Sequence, residues 1–334
     1  MLAGATPFGG PFVLIKSADH KQPQIATLEA LLARPDADAE TRRRIEIEIR
    51  KVRAGIAGER DAAYEIEFVL GRSPRWATIH DLRLEVDGRV AQLDHIVINH
   101  LLDVWVVESK HFSDGVAVDE HGEWVGFFGG RPYGIPSPIE QNRRHIDVLA
   151  AAFKSGRVPL PKRLGIVTIQ PAFHSLVLVS NHARISRPKS RAAAARVDGL
   201  DMVMKAEQFG RYIDKFFDQR SVASAAKLVS SEAVEAVAHS LVGMHVPATV
   251  DWAARFGLPA AAPVAPEQQP VPAAEAPATA RLACGACGRR VSAAVVDFCA
   301  ARPERFAGGT YCMSCQGRYR RSPERETEPR RERS

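Results

Sequence analysis

A helical stripe that runs straight into alternating strands, folded back at Asp87-Gly88, constrains this chain more than any other feature. Ile45, Ile49, Val52, Ile56, Glu59, Ala63, Ile66 and Leu70 follow one another at intervals of four and three, the spacing of one buried helical face. Helix is expected from about Gln22 to Leu70, broken at Pro35-Asp36-Ala37-Asp38, where an aspartate caps the second segment. From Thr78 apolar and polar residues alternate, and Asp87-Gly88 supplies the turn of a hairpin between TIHDLRLEV and RVAQLDHIVIN. DVWVVESKHF and GVAVDEHGEW read as two further strands of an antiparallel meander. Ser137-Pro138-Ile139-Glu140 carries a cap, a first-turn proline and a glutamate at the third position, so a helix starts there and runs to about Lys154. RLGIVTIQ and SLVLVSN read as strands, and KAEQFGRYIDKFFDQ as a closing amphipathic helix. An α/β sandwich is the expected result.

With 334 residues, several units are expected. The predicted division is an N-terminal helical region (1–54), an α/β domain (55–218), a helical segment (219–256), a Pro/Ala-rich linker (257–281), a cysteine module (282–317) and a charged tail (318–334). Six prolines between Leu258 and Arg281, with few large apolar residues, offer the linker no core. The N-terminal helices are a candidate surface for self-association or a protein partner. No stretch reaches the roughly 18 apolar residues of a spanning helix, and the N-terminus lacks the layout of a signal peptide. No membrane partner and a cytoplasmic location are the expectations. A net charge of +6 and a pI near 9.2 favour a polyanionic partner without specifying one.

If the strands around the turn near Leu101 pair symmetrically, Ile98 lies opposite Val104, Ile96 opposite Val106, Asp94 opposite Glu108 and Gln92 opposite Lys110. Polar residues then replace core residues at one end of a core-facing side. Two carboxylates ~5 Å apart at an effective dielectric of ~20 repel by about 3 kcal/mol, so a cation is expected between them. A divalent ion held by Asp94 and Glu108, with Lys110 beside it, meets that need. Neutralising either carboxylate should then relieve repulsion. A solvated salt-bridge cluster is the competing reading. The apolar neighbours, and Glu59 on its own apolar stripe, argue against it because charge is costly there.

Gly58-Glu59, Gln92-Leu93-Asp94-His95, Val107-Glu108-Ser109-Lys110, Trp124, Pro138 and Gln141, in that order, resemble the NERD family, the nuclease-related domain, over roughly residues 58–150. The resemblance implies a restriction-endonuclease-like, PD-(D/E)xK central sheet flanked by helices. It also implies Mg²⁺ or Mn²⁺ at Asp94 and Glu108, Lys110 assisting water attack, and contributions from Glu59 and Gln141. His145, one turn after Gln141, stands where a tyrosine is usual in the related RecB-like motif, and Ser109 where many relatives have threonine. His95 faces away from this group, and Trp124 reads as core.

Cys284-Gly-Ala-Cys287 and Cys312-Met-Ser-Cys315 form two knuckle-like pairs with 24 residues between them (288–311), a spacing suited to a four-thiolate Zn²⁺ site in a zinc ribbon. A redox dithiol is the weaker alternative, since two pairs exceed what it needs. Cys299, amid apolar residues, reads as a small buried hydrophobe. Arg289, Arg290, Arg318, Arg320 and Arg321 give the module a basic character suited to phosphates, or to a solvated face on a protein-docking ribbon. The function expected is metal-dependent hydrolysis of nucleic-acid phosphodiesters, DNA above all. The alternative is a catalytically inactive DNA-binding or regulatory protein that uses both modules for recognition.

Overall fold

In the computed structural model, described residues are 13–71, 73, 75–163, 166–220, 228–259, 283–289 and 291–317. Most of the expected linker (260–281), the tail, and Arg290, Arg318, Arg320 and Arg321 lie outside them. The chain divides into two compact units, Met1–Pro277 and Ala278–Ser334.

In the first unit β1 (Val13–Lys16) precedes α1 (Gln22–Leu32) and α2 (Ala39–Leu70), which is capped by Asp38 accepting from the Thr41 amide at 2.7 Å. β2 (Trp76–Val86), β3 (Arg89–Asn99) and β4 (Asp103–Lys110) follow, then β5 (Gly115–Val118), β6 (Trp124–Phe128), β7 (Arg131–Ile135) and α3 (Pro138–Lys154). The chain continues through β8 (Lys162–Arg163), β9 (Val167–Thr168), β10 (Ala172–Val179), β11 (Arg184–Ser186), α4 (Arg191–Ala194), β12 (Val203–Lys205) and α5 (Phe209–Asp218). It closes with α6 (Ser231–Val242) and α7 (Trp252–Arg255).

The main sheet has the order β1-β2-β3-β4-β10-β12. β2, β3 and β4 form the expected antiparallel hairpins, with Asp87 and Gly88 both at positive φ (50° and 71°) as a tight two-residue turn requires. β1 joins β2, β10 joins β4 and β12 joins β10, all in parallel. α2 and α5 cover one face through Ala62, Ile66, Leu70, Phe209 and Ile213, against Val97, Trp105 and Val107. α3 and α6 cover the other through Val148, Leu149, Val237 and Leu241, against Ile96, Ile98, Val104 and Val106. The first unit is thus an α/β sandwich about a central sheet.

Two expectations change. GVAVDEHGEW is not the next strand of the meander: β5 and β6 are separate strands of a second sheet, β11-β5-β6-β7, turned about Asp119. The Asp119 carboxylate accepts from the amides of His121 and Glu123, both at 2.9 Å, and that local turn competes with straight extension. RLGIVTIQ is not one core strand: Arg163 ends β8, which pairs with β9 at Val167–Thr168. Helix α2 carries more than one core. Ile45 and Ile49 pack with Leu28 and Leu31 of α1 and with Trp252, whereas Ile66 and Leu70 meet the sheet. α2 therefore runs unbroken through residues 54 and 55. Among the described residues, no helix is long and apolar enough to cross a membrane.

Candidate active site

The site forms where the β2-β3-β4 ladder opens. β3 and β4 pair as His95–Val107, Ile96–Val106, Val97–Trp105 and Ile98–Val104, the symmetric register read from the sequence. The two outer rungs do not form. The Asp94 carboxylate instead accepts from both the Ser109 amide and the Ser109 hydroxyl at 2.8 Å, replacing a backbone partner. Gln92 turns to Asp81 and does not meet Lys110.

Glu108 is buried, 2% exposed. Its Oε1 accepts from Lys110 at 2.7 Å, and Lys110 also donates to the Gln141 side-chain oxygen at 3.0 Å. Its Oε2 lies 3.4 Å from His145 Nδ1, and neither atom has a hydrogen bond. A buried carboxylate oxygen with only one long contact has room for a cation or a polar ligand. Asp94, Glu108, Lys110, Gln141 and His145 are thus linked by direct contacts or through the β4 backbone. Glu59, on α2, accepts from Lys21 at 2.5 Å, and Lys21 in turn lies 3.8 Å from Asp81 Oδ2.

The two central carboxylates have opposite electrostatics. Burial, then the charges of Glu108 and Glu59, push Asp94 well above its usual value of 3.8, despite the Ser109 hydrogen bonds. Burial pushes Glu108 up as well, but His145 and Lys110 outweigh it and leave Glu108 below its usual 4.5. Burial also raises Glu59, although Lys21 opposes it. Of Asp94 and Glu108, then, only Asp94 should gain from being neutralised. For Glu108 the contacts with Lys110 and His145 favour the charged form, so its neutralisation is expected to cost stability.

A carboxyl whose pKa is raised on folding contributes stability fully below its unfolded pKa and loses it as pH rises through the folded value. Asp94 should accordingly contribute a loss of stability to the metal-free protein as pH climbs above about 4, set against the opposite contribution of the buried His95. Asp94→Asn should remove it, so that the variant gains on wild type as pH rises. Melts in chelator across pH 4 to 8 test it, and equal slopes for wild type and variant would refute this charge assignment.

Residues 54–180 match the family model of the nuclease-related domain, NERD. The NERD span contains Glu59, Asp94, Glu108, Lys110, Gln141 and His145, and leaves the cysteine module outside. No curated protein and no solved structure matches the chain. The geometry also accounts for NERD-like positions with no chemistry of their own. A Cβ on Gly58 would sit 2.9 Å from that of His111, so glycine lets α2 pass close to the end of β4 and brings Glu59 alongside. Trp124 is core, packed with Phe112 and Ile139. His95 meets His80, Nδ1 to Nδ1, at 2.8 Å.

Sequence reading missed Asp81, Lys21 and Asn142. Asp81 is 2% exposed with φ +55°, and it falls with Asp94 between the paired rungs His80–His95 and Leu82–Leu93. The signal was present: a hairpin centred on Asp87-Gly88 sets Asp81 opposite Asp94. Asn142 is fully buried and donates to Val106 O at 2.8 Å and Ser175 Oγ at 2.9 Å, pinning α3 across β4 and β10 one residue beyond Gln141.

In the second unit Cys284, Cys287, Cys312 and Cys315 bring their sulfurs within 4.8 Å of one another. Among the described residues this is the one group of three or more metal-binding side chains gathered so closely. The Cys287 and Cys312 sulfurs are 3.6 Å apart, close to the ~3.8 Å edge of a tetrahedron with Zn–S of ~2.3 Å and far beyond a disulfide bond of ~2.05 Å. Burial raises Cys284, but amides of Cys312, Ala286 and Cys287 bring it down to about 6; neighbouring thiols push Cys315 up to about 12. Four sulfurs gathered this closely could hold one zinc ion. Cys299 is buried with Val295 and Phe306, as expected for a small hydrophobe. The spacer between the knuckles is helical over Ala293–Ala300 and Pro303–Phe306.

Proposed function

We propose that the chain is a metal-dependent nuclease that hydrolyses phosphodiester bonds, with DNA as substrate. The observation that carries the reading is the buried Glu108, whose one oxygen accepts from Lys110 while the other faces only His145 Nδ1 at 3.4 Å, beside a crowded Asp94. This donor set fits a Mg²⁺ or Mn²⁺ ion, which takes one or two carboxylates together with water and phosphate oxygens. Asp94 and Glu108 would hold it. When bound, the ion supplies positive charge for the scissile phosphate and lowers the pKa of water.

The chain's own residues do the rest. Lys110 is held by Glu108 and Gln141, so its ammonium is fixed where charge develops on the phosphate and where an attacking water needs orienting. Gln141 is a positioning residue for Lys110. Glu59 contributes to the field from α2. The zinc module adds phosphate contacts that recruit the substrate without reading its sequence.

Purified full-length protein, incubated with linear, circular and single-stranded DNA and with RNA, with and without Mg²⁺ or Mn²⁺, tests the reading. Metal-dependent cleavage of at least one DNA form is expected. Binding without cleavage under every condition overturns it in favour of a recognition protein.

A further inference from the structure

The N-terminal segment before α1 brings a cation into the acidic site from outside the span that matches the nuclease-related domain. β1 pairs with β2, and Lys16 donates to the carbonyls of His80 and Asp81 at 3.2 and 2.9 Å. The Asp19 amide donates to Asp81 Oδ2 at 3.2 Å, and Asp19 is itself met by Lys16 at 2.6 Å and by His245 at 3.1 Å. This anchored strap delivers Lys21, largely buried, to Glu59 and to within 3.8 Å of Asp81 Oδ2. Asp81 is held in a left-handed backbone that a non-glycine residue adopts at a cost of roughly 1 kcal/mol or more, so the strap and Gln92 must over-determine it.

We propose that Lys21 is a resident cation which satisfies the Glu59–Asp81 side of the acidic cluster and limits the site to one divalent ion, at Asp94 and Glu108. The proposal rests on the reading of those two as metal ligands. Charge balance supports it. Glu59, Asp81, Asp94 and Glu108 carry four negative charges when ionised, and Lys21 and Lys110 return two, leaving what one divalent ion neutralises. Without Lys21 a further negative charge is uncompensated on the Glu59–Asp81 side, where Glu59 loses its cation and a second ion would be accommodated. Lys21 is a positioning residue with an electrostatic effect, not a ligand.

Titration of the full chain with Mn²⁺, followed by calorimetry and by the EPR signal of free Mn²⁺, tests this without any cleavage assay. Wild type should bind one ion, and Lys21→Met should bind it about tenfold more tightly or take a second. Lys21→Arg, which keeps the charge, should retain wild-type stoichiometry. Should Lys21→Met not fold, Glu59→Gln gives the opposite arm: Lys21 then faces Asp94 with less compensation, and Mn²⁺ binding should weaken about tenfold. Two ions on wild type, or unchanged Mn²⁺ binding in both Lys21→Met and Glu59→Gln, overturns the proposal while leaving the nuclease reading intact. A wild type that binds no Mn²⁺, or binds it equally well as Asp94→Asn, overturns both.

Discussion

Asp94→Asn and Glu108→Gln should each lower cleavage at least a thousandfold, about 4 kcal/mol of transition-state stabilisation, yet move the stability of the metal-free fold in opposite directions. The activity loss is shared because each variant removes one of two carboxylates proposed to hold the same ion. The stability effects differ because of neighbours. Asp94→Asn keeps a side-chain oxygen for the Ser109 amide and hydroxyl while losing a charge that burial, Glu108 and Glu59 all penalise. Its metal-free melting temperature should equal or exceed that of wild type. Glu108→Gln leaves the Lys110 ammonium without its buried counter-ion, a loss of about 1 to 3 kcal/mol, moderated because Gln141 still accepts from Lys110. Lys110→Met should also impair cleavage while Mn²⁺ still binds, since lysine is not a ligand. Cleavage near wild-type level in both carboxylate variants, with contaminating nuclease excluded, refutes the site. A destabilised Asp94→Asn protein refutes the electrostatic account alone.

The contrast shows what the sequence makes legible and what it does not. Periodicity and turn chemistry located α2, the Asp87-Gly88 hairpin and the Ser137 cap, because each is decided by residues close in the chain. Symmetry about Leu101 placed Ile96 opposite Val106 and Ile98 opposite Val104. It failed one rung further on, where the Asp94 side chain competes for a backbone amide, a choice that register rules do not contain. Lys21 was out of reach for another reason. It lies 38 residues from Glu59, and their meeting depends on β1 adding in parallel to β2, a non-local pairing that apolar pattern does not reveal. The second sheet was hidden because Asp119 makes a turn within a run that alternates like one strand.

Removing zinc should unfold the C-terminal unit and leave the first unit's melt in place, the other large effect expected of this chain. The argument begins from how little else holds that unit together. Its buried apolar groups, among the described residues, are two small clusters: Val295, Cys299 and Phe306 in one, and Cys284, Cys312 and Cys315 themselves in the other. Apolar burial on that scale does not offset the conformational entropy of the 34 residues described in that unit. The turns that bring the sulfurs together are short. Gly288 N meets Cys284 O at 2.8 Å and Cys315 N meets Cys312 O at 2.8 Å, one knuckle each. A four-thiolate zinc site contributes on the order of 10 to 16 kcal/mol to such a fold at neutral pH, enough to decide it. Metal analysis of purified protein should therefore find about one zinc per chain. Cys312→Ser should lose it, whereas Cys299→Ser, whose sulfur instead lies against the Tyr311 backbone at 3.5 to 3.6 Å, should keep it. A strong chelator should abolish the far-UV signal of the Ala293–Ala300 helix and expose the module to protease, with melting of the first unit unchanged. Undiminished zinc in Cys312→Ser, or its loss in Cys299→Ser, would show that the ligand set is wrong; a module that stays folded in the chelator would show that the metal is dispensable.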